Sequence, residues 1–174
     1  MSIEIRRIAP GEWEQVRALR LRALGDPVAH LAFLDTVEHA SAQPDEFWRD
    51  RTENAAVGDR AAQFVAIAED GEWFGSATVI ENRDHPGAGL VVGVYVAEGH
   101  RGTGAIEALF DAAASWARQT GRSALYLEVH VDNLRAQRAY ERWGFVRTGE
   151  LTRQHNGDEY VMVHALGAAD SVGA

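Results

Sequence analysis

Arg101, Gly102, Thr103 and Gly104 stand between an apolar run ending at Val96 and a helical pattern opening at Ala105. Glycines let a backbone approach a ligand closely, and the free N–H groups of a helix's first turn point outward with the positive end of its dipole. Each favourable charge at a helix end is worth roughly 0.3 to 1 kcal/mol, so several N–H donors with the Arg101 guanidinium could hold a pyrophosphate. A plain strand-to-helix turn with a solvated Arg101 explains the same residues, and a dinucleotide loop is a third reading. A nucleotide P-loop is excluded, because no Gly-Lys-Ser or Gly-Lys-Thr occurs in the chain. The dinucleotide fingerprint fits poorly, since its third glycine position holds Glu107 and four residues separate the strand from Arg101.

A second group of reactive side chains lies in "LEVHVDNLRAQRAYERWGF", Leu127 to Phe145. Glu128 and His130 share one face of a strand, and Asp132 or Asn133 can cap the helix that follows. Tyr140 falls on an apolar stripe with Ala136, Ala139 and Trp143, where core packing alone would explain it. The histidines show no His-Glu-x-x-His pair or similar spacing, and cysteine is absent, so no metal site is expected.

The elements that must position these residues follow from periodicity. "IEIRRIA" alternates as a strand, and Trp13, Val16, Leu19 and Ala23 form the stripe of a first helix. "DPVAHLAFLDTVEHASAQ" is irregular, and Pro44 opens a second helix. Two β-rich runs around Glu69, Asp70 and Gly71 form a hairpin, with "LVVGVYVA" a further strand of that sheet. Ile106, Leu109, Phe110, Ala113 and Trp116 give a helix one sheet-packing face. A strand from Ala124, the Asn133 helix and two closing strands complete the order β, α, α, β, β, β, α, β, α, β, β. This is an α/β fold with a mixed sheet of about seven strands and about four helices, in one domain over residues 1–166 with a flexible tail at 167–174.

The chain has 174 residues, of which 46% are hydrophobic. A domain of that size buries roughly 70% of the surface it exposes when unfolded, so it needs no disulfide or metal to hold its core. The net charge of −9 argues against nucleic acid as a partner. No run approaches the ~18 apolar residues of a membrane span, and the N-terminus lacks a signal peptide's apolar stretch, so a cytoplasmic location is expected.

"VYVAEGHRGTGAIEALF" resembles the acetyl-CoA-binding segment of the GCN5-related N-acetyltransferases, the GNAT family, whose motif is [QR]-x-x-G-x-[GA] a few residues past a strand. Arg101 and Gly104 match it, whereas Ile106 stands where the family prefers Gly or Ala. "LEVHVDNLRAQRAYERWGF" is similar to the family's later block, in the expected order and spacing. The resemblance extends to the element order over nearly the whole chain and implies a GNAT-type, mostly antiparallel twisted sheet.

The resemblance implies acetyl transfer from acetyl-CoA directly to a primary amine, on a small molecule or a peptide N-terminus. Val94, Tyr95 and Val96 would offer backbone groups to the pantetheine arm, and Arg101, Gly102, Thr103, Gly104, Ala105 and Ile106 would wrap the diphosphate. Asn133 would lie near the cofactor arm. Tyr140 would protonate the departing thiolate, as a phenol of pKa ~10 can at neutral pH. Glu128 is the first candidate base, with His130 in reserve and Glu81 a weaker choice. Trp13, Trp48, Trp73, Phe33 and Phe47 are candidates for the acceptor pocket, core packing being the commoner role. The rival reading is a non-catalytic domain that binds an acyl-CoA and senses or regulates. No membrane partner is expected, and a monomer or homodimer is the prior.

Overall fold

The computed structural model describes residues 2–167. Apart from Gly167, the C-terminal tail expected from the sequence lies outside them. The chain runs β1 (Glu4–Arg7), α1 (Trp13–Leu24), α2 (Ala29–Ala32), α3 (Val37–Ser41), α4 (Asp45–Ala56), β2 (Ala62–Ile67), β3 (Trp73–Glu81) and β4 (Gly89–Val96). It continues through a short 3₁₀ turn (Glu98–His100) into α5 (Ala105–Gln119), β5 (Ala124–His130), α6 (Leu134–Trp143), β6 (Val146–Gln154) and β7 (Gly157–Ala165). The seven strands are those expected, and the irregular "DPVAHLAFLDTVEHASAQ" stretch adds two short helices, α2 and α3, to the four read from periodicity.

The strands form one sheet in the order β1-β2-β3-β4-β5-β7-β6. Every neighbouring pair is antiparallel except β4 and β5. β2 is buried along its whole length because α5 packs on the sheet there and α4 also contacts it. Such two-sided cover explains why its sequence, Ala-Gln-Phe-Val-Ala-Ile, is nearly all apolar. Val16, Leu19 and Ala23 of the α1 stripe are buried, as are Leu109, Phe110 and Ala113 of α5.

The β4–β5 seam is short. Gly89 pairs with Leu125 and Leu90 with Tyr126, and no further pair follows. β4 also bulges against β3: Tyr95 faces Ser76 but Val92 faces Thr78, with Gly93 at φ 62° absorbing the extra residue. Past Leu90 the two parallel strands part, and the backbone of β4 is left facing a cleft instead of a neighbour.

Candidate functional site

The cleft opens between the splayed strands and holds two adjoining cavities. One, of about 350 Å³, runs from Val94, Tyr95 and Val96 past residues 100–107 to Asn133 and Tyr140. The other, of about 290 Å³, shares Val94, Asn133 and Tyr140 and extends to Arg20, Arg51, Glu128 and Glu159. Tyr140 therefore lies where the two meet.

At the mouth of the first cavity, Gly102 and Gly104 take φ of 75° and 85°, a region that disfavours any side chain. Gly104 is the N-cap of α5 and has no side chain to occupy the helix's free donors. Among the described residues, none of the backbone N–H groups from 102 to 107 donates within the chain, while Arg101 N donates to Glu98 O at 3.2 Å. Thr103 Oγ1 donates to His100 O at 2.6 Å and ties the loop to the preceding turn. The outcome is a cradle of amide donors at a helix N-terminus, which fits a diphosphate. Ile106 is half-buried and packs against the core at the cavity wall, so its side chain leaves the neighbouring amides open.

Arg101 departs from the sequence expectation. Its Nε donates to Val96 O at 2.9 Å and its Nη2 pairs with Asp26 Oδ2 at 2.8 Å. The guanidinium turns back to brace the end of β4 against the α1–α2 loop. Arg135 and Arg142 bring positive charge to the α6 side of the same cavity.

α6 positions the next two residues. Asn133 caps the helix, its Oδ1 accepting from Ala136 N at 3.3 Å, and its side chain lies on the wall common to both cavities. The Tyr140 ring is fixed by Phe110 and Phe145, at centroid separations of 5.5 and 6.4 Å. Its core-packing and site roles therefore coexist, because the stripe that buries the ring also aims it into the cleft. Burial raises the Tyr140 hydroxyl well above the ordinary tyrosine pKa, so it is a protonated donor at neutral pH.

Glu128 and His130 do share a strand face, but their surroundings separate them. His130 Nε2 bonds to Asn156 O at 2.8 Å while its Nδ1 accepts from Asp132 N at 3.0 Å. Both ring nitrogens are thereby engaged by backbone groups, which leaves neither facing a substrate in the cleft. Glu128 is exposed to the cleft, and its Oε1 accepts from Thr152 Oγ1 at 2.8 Å. Beside it is a residue the sequence reading missed. Glu159 of β7 pairs directly with His130 and, unlike Glu128, is buried. Burial first, then the neighbouring Glu128 charge, raise the Glu159 carboxyl above the usual carboxylate range. A carboxyl whose affinity for a proton is raised in this way is a better acceptor than a lone exposed Glu.

The other candidates divide. Glu81 ends β3 as an exposed residue loosely paired with Arg60 at 3.8 Å, and it lines neither cavity. Phe33 lines both cavities. Trp48 is a core side chain, 1% exposed, while Trp13 stacks under Arg49 and Trp73 under Arg6. Phe47 is partly exposed and packs edge-on against Trp48.

A mixed seven-stranded sheet with a splayed parallel pair, opening onto an amide-lined helix N-terminus, defines an acyltransferase-type fold. A sequence model of the acetyltransferase (GNAT) family matches residues 22–145, and the chain belongs to that family. Streptothricin acetyltransferase of Streptomyces lavendulae is 34% identical over 124 residues, 71% of this chain and 65% of that protein. The chain thus spans just under two thirds of that relative's length. A GNAT-family acetyltransferase from Streptococcus pneumoniae has the same fold, with a TM-score of 0.79 at 19% identity over 95% of this chain and 100% of that one. Spermidine N-acetyltransferase from Vibrio cholerae, solved with CoA and spermine, gives a TM-score of 0.72 at 18% identity over 94% and 95%. No helix among the described residues is long and apolar enough to cross a membrane.

Proposed function

We propose that this chain is an acetyl-CoA-dependent N-acetyltransferase that moves an acetyl group directly to a primary amine, on a small molecule or a peptide N-terminus. The observation that carries this reading is the cleft itself: β4 parts from β5 after Leu90, and the freed strand leads into a loop whose amides from 102 to 107 have no acceptor within the described chain. Val94, Tyr95 and Val96 would hold a pantetheine arm by backbone groups, with Asn133 opposite, and residues 101–106 would hold the diphosphate. Acetyl-CoA, when bound, supplies a thioester whose acyl carbon is open to attack by an amine.

The chain's residues account for the protons. An amine must be neutral to attack, and a lysine-like amine of pKa ~10.4 needs about 4 to 5 kcal/mol to be so at pH 7. The Glu128–Glu159 pair accepts the amine's proton, directly or through water. As the C–N bond forms and the C–S bond breaks, the Tyr140 hydroxyl gives its proton to the leaving sulfur. The family membership and the cavity shared by Tyr140 and the Glu pair support this assignment.

The test is calorimetric titration with acetyl-CoA followed by thiol release across a panel of amines. Micromolar binding with turnover of at least one amine is expected. Absence of acetyl-CoA binding would overturn the reading, and binding without turnover of any amine would favour the acyl-CoA sensor instead.

A further inference from the structure

The second cavity carries a feature that amine acetylation does not require. Arg20 of α1 and Arg51 of α4 reach its wall from different helices. Both are largely withdrawn from water, and burial lowers the pKa of each. Arg20 is held down to about 10, first by burial and then by the charge of Arg51, so two guanidiniums are packed close enough to repel and remain charged at neutral pH.

Asp35 faces them without satisfying them, and among the described residues Glu128 and Glu159, on the same cavity wall, form no ion pair with either guanidinium. Asp35 Oδ2 stands 3.9 Å from Arg20 Nη2, beyond hydrogen-bond reach. Its other oxygen is occupied by Thr36 N at 2.8 Å and His39 Nδ1 at 2.7 Å. Arg20 Nε is buried without a partner, and among the described residues Arg51 makes no side-chain hydrogen bond. Phe33 covers the Arg20 guanidinium at 4.7 Å and presents its planar face instead of an acceptor. Folded proteins seldom bury a charged donor without an acceptor, and planar guanidiniums pair in a forked geometry with carboxylates. Arg101 and Arg7 show the braced alternative, the first with Asp26 and the second with the carbonyls of Ala55, Gly58 and Ala61, whereas Arg17 Nε shares with Arg20 Nε the lack of a partner.

Given the acetyltransferase reading above, on which this rests, we infer that the acceptor is an amine that also carries a carboxylate, held by Arg20 and Arg51 while its amino group faces Tyr140 and the Glu128–Glu159 pair. A polyamine would set further ammonium groups against the two guanidiniums, which disfavours that class.

The test uses binding and needs no turnover. The chain, alone and with CoA, is titrated calorimetrically with a panel of proteinogenic amino acids, each paired with its carboxamide, which keeps the amine and removes the negative charge. At least one acid should bind tenfold or more tightly than its carboxamide, and that ratio should fall to about one in Arg20→Met and in Arg51→Met, with CoA affinity kept in both. Equal or tighter binding of every carboxamide, no binding of any acid, or a ratio that survives both substitutions would overturn the inference. CoA binding is read separately, so its absence tells against the acetyltransferase reading and the acid-to-carboxamide ratio tells against this one.

Discussion

Arg101 pairs with Asp26 across the gap between the end of β4 and the α1–α2 loop, 2.8 Å apart with both side chains mostly buried. Asp26 in turn accepts from Val28 N at 3.1 Å, so a single carboxylate ties the donor loop to the start of α2. Arg101→Met removes a charge-assisted bond and strands a buried carboxylate, a loss of about 2 to 3 kcal/mol. Thermal unfolding should register it as a lower melting temperature. CoA affinity should weaken through displacement of the loop, so raising the salt concentration should weaken CoA binding to the variant and to the parent alike. A variant that bound CoA with a clearly shallower salt dependence would mean that Arg101 contacts the phosphates after all.

Tyr140→Phe keeps the ring among Phe110 and Phe145 and deletes the hydroxyl. Turnover should fall by about 10²-fold or more, the usual worth of a positioned acid, with CoA affinity within about threefold of the parent. Stopped-assay rates and calorimetry read the two quantities separately. An unchanged rate would leave Tyr140 as core alone.

The parts of this site that were legible in the sequence are those built locally. Gly102 and Gly104 mark a turn with a close-approaching backbone before a helix, and Asp132 or Asn133 marks a cap, because each acts on nearby backbone; the structure gives the two glycines positive φ and the cap to Asn133. What stayed hidden depends on pairing between distant segments. Arg101 finds Asp26 75 residues away, and Glu159 meets His130 through a β5–β7 register that alternation along either strand does not specify. Arg20 and Arg51 carry no sequence signal of a site, because only the packing of α1, α4 and β4 brings them to one cavity wall. The helices α2 and α3 span four and five residues, too short for a periodic stripe, so packing and not propensity forms them.

Gly89 sits where β4 makes its brief contact with β5, and its lack of a side chain is a packing requirement. A Cβ there would stand 2.7 Å from Val79 Cγ1 and 3.0 Å from Leu125 Cδ2, both fully buried. Gly89→Ala should cost about 1 to 3 kcal/mol by overpacking, at about 2 to 4 °C of melting temperature per kcal/mol. Gly99→Ala, with open space around its Cβ position, is the matched control. Equal melting temperatures for the two variants would contradict the tight seam.

The Glu128–Glu159 pair makes a prediction about pH. The folded protein raises the Glu159 carboxyl above its unfolded value, so it holds that proton more tightly than the unfolded chain does. Stability should therefore be highest below the ordinary Glu value of ~4.3 as far as this group is concerned, and should decline as pH rises through the window up to the raised value. Activity moves the opposite way, because the pair accepts an amine proton only after losing its own. At fixed saturating acetyl-CoA, the pH profile of kcat/KM should show an acidic limb above the usual carboxylate range. Glu159→Gln should remove this group's share of the pH-dependent stability loss and, by deleting the raised carboxyl, remove that acidic limb while lowering the plateau. Measuring unfolding and kcat/KM from pH 4 to 8 in parent and variant decides the matter: superimposable pH profiles in the two would exclude Glu159 from the proton path and leave Glu128 to act alone.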